Sequence, residues 1–103
     1  MNLNFLRYQV GEVLKKYEDT RNSDRLLCWT LWKEFYGISD FIDYKTFKDL
    51  PKESEISRYR RIWQNENGMY VPTLWDVAMG RGMEELKWKA QMLKEKDKQL
   101  SIF

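Results

Sequence analysis

A chain of 103 residues that is 43% hydrophobic and 16% aromatic has the apolar content to close one core, which excludes a disordered, charge-dominated polymer. Its net charge is only +2, all of it carried by residues 51–103, so any grip on a polyanion has to come from a local patch rather than a global field. The chain has no histidine and one cysteine, Cys28, which removes the commonest general base, the usual zinc ligand sets and any internal disulfide.

Leu3 to Tyr17 reads as the first helix, because Leu3, Leu6, Val10, Val13, Leu14 and Tyr17 recur at three- and four-residue steps and share one face. Gly11 interrupts it at a cost of about 1 kcal/mol against alanine. Glu18 to Asn22 is a polar connector. Asn22 or Ser23 then caps a second helix, Asp24 to Tyr36, which Gly37 stops from the C′ position. That helix carries Leu27, Leu31 and Phe35 in one row and Cys28 and Trp32 in another, so it is expected at the centre of the core.

After a short link at 38–42, Asp43 caps a third helix, Tyr44 to Leu50, with Phe47 turned inward, and Pro51 ends it. The fourth helix, Ser54 to Asn65, sets Ile56, Tyr59 and Trp63 on one side and Arg58 and Arg61 on the other, with Arg60 on a flank. Asn67-Gly68 is a turn signal, and Trp63 on one side with Met69, Tyr70 and Val71 on the other is the material for a small β wing. Thr73 caps a short turn from Leu74 to Met79, and Gly80-Arg81-Gly82 breaks the chain. Beyond it Met83, Leu86, Ala90, Leu93, Asp97 and Leu100 form a heptad seam with one polar position. The expected architecture is a mostly α, winged helix-turn-helix-like core over residues 1–79. A C-terminal helix over 80–103 either packs back or pairs with a second chain.

The chemistry points to binding rather than catalysis. No carboxylate pair is marked out for acid/base work and no glycine loop is shaped for phosphate, so the expectation is a non-enzymatic protein without cofactor or metal. Three arginines on one short helix, followed by a turn, suggest double-stranded DNA. In that reading Arg58, Arg61 and Gln64 approach the major groove, Arg60 and Lys52 meet phosphates, and Asn67 and Tyr70 touch the backbone. The plainer alternatives are a solvated face paired with Glu53, Glu55 and Glu66, and a protein-interaction adaptor. Arg81 is either an anion site or part of a hinge. No apolar run reaches the ~20 residues of a membrane span. With no signal peptide in the sequence, the cytoplasm is the expected compartment.

The stretch Asp19 to Leu27, followed by Leu50-Pro51 and by Ile56 to Glu66, resembles small proteins carried by phages and prophages of Gram-positive bacteria. In these a Leu-Pro precedes a helix of the form I-x-R-x-R-R-x-x-Q. The similarity covers roughly residues 10–75, and Lys52 departs from the Ser or Thr cap of that pattern. The group brings no activity with it. The resemblance implies a phage or prophage origin and action in the host cytoplasm, as a regulator or replication accessory if DNA is the target.

Overall fold

The computed structural model describes residues 3–100, and their side chains from 5 to 95. Helices α1 (Leu3–Lys16), α2 (Asp24–Tyr36) and α4 (Glu53–Arg61) pack on one another as a three-helix core. A short α3 (Tyr44–Asp49) stands beside them, and α5 (Trp75–Gly80) and α6 (Glu85–Leu100) close the chain. The core holds Leu6, Val10, Val13 and Leu14 from α1, Leu27, Cys28 and Leu31 from α2, and Ile56 and Tyr59 from α4. Each set follows the three-four spacing that puts apolar side chains on one stripe. Burial pushes the Cys28 thiol up to about 12, with the nearby charge of Glu53 adding to it, so the group serves as an apolar filler.

The caps explain where the helices start and stop. Ser23 accepts from the Leu26 backbone N–H at 3.2 Å, and Asp43 accepts from that of Thr46 at 2.7 Å. Gly37 takes φ +64°, and its N–H returns to the Trp32 carbonyl, as a left-handed C-terminal residue does. Lys52 occupies the N-cap of α4 without a side-chain bond, so that helix begins at Glu53, one residue before the expected start at Ser54. Phe47 is half exposed and meets the Trp32 ring edge-on at 6.0 Å instead of entering the core.

The polar connector after α1 is a buried structural piece. Residues Glu18–Asn22 form a 3₁₀ turn that buries Thr20 and Arg21. Thr20 Oγ1 donates to the Tyr17 carbonyl at 2.5 Å. Arg21 Nε donates to the Leu14 carbonyl at 2.8 Å, satisfying one of the free acceptors that every helix end leaves behind.

The expected β wing is absent. No strand occurs among the described residues, and the winged part of the sequence reading is overturned while its mostly α part holds. The reason lies at Tyr70. Its N–H donates to Glu95 Oε1 at 3.1 Å and its carbonyl accepts from Gln64 Nε2 at 2.8 Å. Both backbone groups a ladder needs are therefore held by side chains, and Pro72 has no N–H to offer. Instead α4 runs on into a π turn, Ile62–Glu66, and Gly68 and Tyr70 bend the chain at φ +62° and +52°. Among the described residues no helix is long and apolar enough to cross a membrane.

Gly11 is where α1 meets this bend. A Cβ placed there would lie 2.7 Å from the Trp63 indole, whose Nε1 donates to the Arg7 carbonyl at 2.9 Å. The missing side chain lets the ring lie flat on α1. Gly11→Ala is expected to lower stability by about 1 kcal/mol, because overpacking outweighs the gain in helix propensity. In a Trp63→Leu background the same change becomes neutral or stabilising. Urea melts of the four proteins measure the coupling.

Candidate functional site

The residues singled out for DNA divide into two groups. Arg60 and Gln64 are buried, and both belong to a polar network that joins four segments of the chain. Arg60 Nε reaches Asp24 Oδ1 at 2.9 Å and Arg60 Nη2 reaches Asp24 Oδ2 at 3.1 Å, a two-point grip on one carboxylate. Ser57 Oγ donates to the same carboxylate at 2.6 Å. Gln64 Nε2 donates to the Arg21 and Tyr70 carbonyls at 3.2 and 2.8 Å. Its Oε1 accepts from Arg81 Nη1 at 3.1 Å.

Arg81 also donates to the Arg21 carbonyl at 2.7 Å and stands 3.7 Å from Asp24. It is thus neither an anion site nor a hinge: it closes the network from the α5 end. Burial, and then the charge of Arg60, hold its guanidinium below the usual arginine range, while Asp24 acts in the other direction. Arg21 Nη1 pairs with Glu95 Oε2 at 2.8 Å, which ties α6 to the 3₁₀ turn. Asn22 holds the segment before α5 by donating to Thr73 Oγ1 at 2.7 Å and accepting from the Thr73 N–H at 2.9 Å. No buried side-chain polar atom is left without a partner among the described residues.

This network takes Arg60 and Gln64 out of any nucleic-acid interface. A guanidinium already held by a carboxylate and buried in the fold lacks the reach for a phosphate. Tyr70 is also committed. Its ring lies 5.5 Å from that of Trp63, with the Arg21 guanidinium at the same distance over its face. Asn67 is exposed and closes the π turn through its N–H to the Ile62 carbonyl at 3.0 Å.

Arg58, Arg61 and Lys52 remain on the surface. Arg58 and Arg61 form no ion pair among the described residues, and they share the outward side of α4 with Asn65. Glu55 and Glu66 are exposed on the same segment. What survives is a pair of free guanidiniums among acids.

Exposed aromatic side chains stand elsewhere, around α3. Phe41 is 91% exposed and Tyr44 78%, with Phe47 beside them. Tyr44 and Phe47 line a cleft of about 410 Å³ together with Trp32, Leu50 and Pro51, and Lys48, Lys52 and Glu53 complete its lining. Trp32 Nε1 donates to the Pro51 carbonyl at 2.9 Å, which fixes the indole as one wall. Among the described residues no group of three metal-ligating side chains is assembled. The arrangement can bind an apolar side chain between aromatic faces.

Sequence reasoning overlooked Asp24, Arg21, Asn22 and Glu95 as members of a site. A signal was present: an acid at the first turn of one helix and an arginine on the flank of another are a natural buried pair. Comparison with protein-family profiles, with curated proteins and with solved structures finds no match for this chain.

The network makes stability depend on Asp24. Burial raises its carboxyl, but hydrogen bonds from Arg60 and Ser57 and the charges of Arg60 and Arg81 outweigh this and hold it below the usual carboxylate range. A depressed folded value means that the stabilisation is full above about pH 4 and is lost as pH falls through the folded value. Asp24→Asn leaves two guanidiniums uncompensated and is expected to cost about 3 kcal/mol at neutral pH. The variant should also lose less than the wild type when melts at pH 7 and pH 3 are compared.

Proposed function

We propose that this chain is a non-enzymatic interaction protein, an adaptor that holds a protein partner at the aromatic cleft beside α3. The observation that carries the reading is the pair Tyr44 and Phe47, both solvent-exposed and both lining a cleft walled by Trp32 and Pro51, with Phe41 in solvent three positions before Tyr44 in the chain. A folded domain rarely leaves aromatics uncovered around a cleft unless something else covers them. Aromatic anchors in such a setting supply most of the energy of protein interfaces. The cleft suits one large apolar side chain of a partner, and the rim charges suit a polar border around it. The resemblance to phage and prophage proteins supports action in the host cytoplasm, where a small protein works by contact.

A second reading has its own support. The free Arg58 and Arg61 on the outward side of α4 keep open weak, non-specific attachment to DNA, with Lys52 at the start of the same helix. With Arg60 and Gln64 buried, this surface offers too few donors to read base edges, and its affinity would be electrostatic and salt-sensitive.

Two measurements separate the readings. A random peptide library panned on the full chain should enrich ligands whose binding falls at least about tenfold with Phe41→Asp plus Tyr44→Asp. Melting temperature should stay unchanged, because both side chains are exposed. Ligands that bind this variant equally well would move the interface elsewhere. Random duplex DNA at low salt should not be retained by the wild type. Retention that drops steeply with salt and vanishes in Arg58→Glu plus Arg61→Glu would put the second reading first.

A further inference from the structure

The outward side of α6 carries an apolar line that no described residue covers. Leu86 is 84% exposed and Leu93 62%, with Ala90 exposed between them. The opposite side of the helix is already committed. Trp88 Nε1 donates to the Pro72 carbonyl at 2.7 Å, and Glu95 holds Arg21 and the Tyr70 N–H. Gln91 lies over Gly68, where an added Cβ would come within 2.9 Å of its amide. Residues 88, 91 and 95 thus pin the helix along one side, and 86, 90 and 93 face away. Asp97 and Leu100, the last seam positions, lie outside the residues whose side chains are described.

In heptad terms Leu86 and Leu93 stand at d and Ala90 at a. The flanking e and g positions are Lys87, Lys89 and Lys94, whereas Glu84, Glu85 and Glu95 fall at b, c and f. Lys89 makes a surface pair with Glu85 at 3.0 Å, and Lys87 and Lys94 have no ion pair among the described residues. We infer that α6 is the basic half of a heterotypic helix pair, and that its partner is an acidic amphipathic helix with apolar side chains at a and d and carboxylates at e and g.

Charge decides against a second copy of the chain. A parallel pair sets Lys89 against the partner's Lys94, and an antiparallel pair sets lysines against lysines on both flanks. Either arrangement repels, which is how coiled coils reject self-association. Shape decides against a lipid surface. A helix that lies in a membrane interface needs a broad apolar side, commonly with aromatics, and this one offers a narrow line with a small Ala90 at its centre. That line is the seam geometry a partner's side chain fills.

The test uses the full chain and two synthetic peptides about four heptads long, both with Leu at a and d, one with Glu and one with Lys at e and g. Fluorescence anisotropy should show the acidic peptide binding at least about tenfold more tightly than the basic one, less so as salt rises. Leu86→Asp plus Leu93→Asp should abolish that binding without altering the melting temperature. Equal binding of both peptides, no binding of either, or indifference to the two substitutions would overturn the inference. So would a wild-type dimer in sedimentation that the same substitutions dissolve, or uptake by phosphatidylserine vesicles in place of peptide binding. This surface is separate from the α3 cleft, so neither result bears on the other.

Discussion

The carboxylate of Asp24 organises this protein. It sits at the first turn of α2, takes two hydrogen bonds from Arg60 of α4 and one from Ser57, and lies near Arg81 beyond α5. Apolar packing brings the three main helices together, but it is non-directional. The charged pair is directional: two donors on a planar guanidinium meet two acceptors in one orientation. It therefore sets the register of α4 on α2. Gln64 one turn further along then collects the Arg21 and Tyr70 carbonyls, and Arg81 donates to Gln64 Oε1 and to the Arg21 carbonyl.

From that follows the shape of the second half of the chain. With Tyr70 held by Gln64 and Glu95, the segment after the π turn is tied to side chains and not to a neighbouring strand. It passes over the core as an irregular arm in which Val71 and Pro72 are buried. Pro72 then offers its carbonyl to Trp88 of α6. The terminal helix is thus attached through two tryptophan- and carboxylate-type contacts on one side, and its leucines are left outside. Binding surfaces arise here as by-products of how polar groups are satisfied within.

Among the surfaces left outward by this network, a pair stands out by its apolar side chains. One is aromatic and lies beside α3, where a six-residue helix is too short to cover its own rings. The other is the lysine-flanked line on α6. Of the arginines that suggested DNA, Arg60 is consumed in holding the fold, whereas Arg58 and Arg61 stay exposed. A fold with so small a core gains specificity from buried polar contacts that are fully satisfied, and it spends arginines on them.

What residue order determined by itself was local. The spacing of Leu6, Val10, Val13 and Leu14, the Ser23 and Asp43 caps and the Gly37 stop placed α1, α2 and α3 within a residue or so, since each rests on neighbours three or four positions away. The exposure of Arg58 and Arg61 and the start of the fourth helix were also legible from helical spacing, but its last turn, expected to run to Asn65, is a π turn from Ile62. The polar connector around Arg21, the absence of a wing and the fate of Arg60, Gln64 and Arg81 were not. The fates of Arg60, Gln64 and Arg81 rest on partners 36, 43 and 60 positions apart in the chain, and Glu95 reaches back 25 positions to Tyr70 and 74 to Arg21. A guanidinium on a helix flank looks the same in sequence whether it faces water or a carboxylate. Only the packing of α2 against α4 brings Asp24 within reach, and with it decides which arginines build the protein and which are free to touch something else.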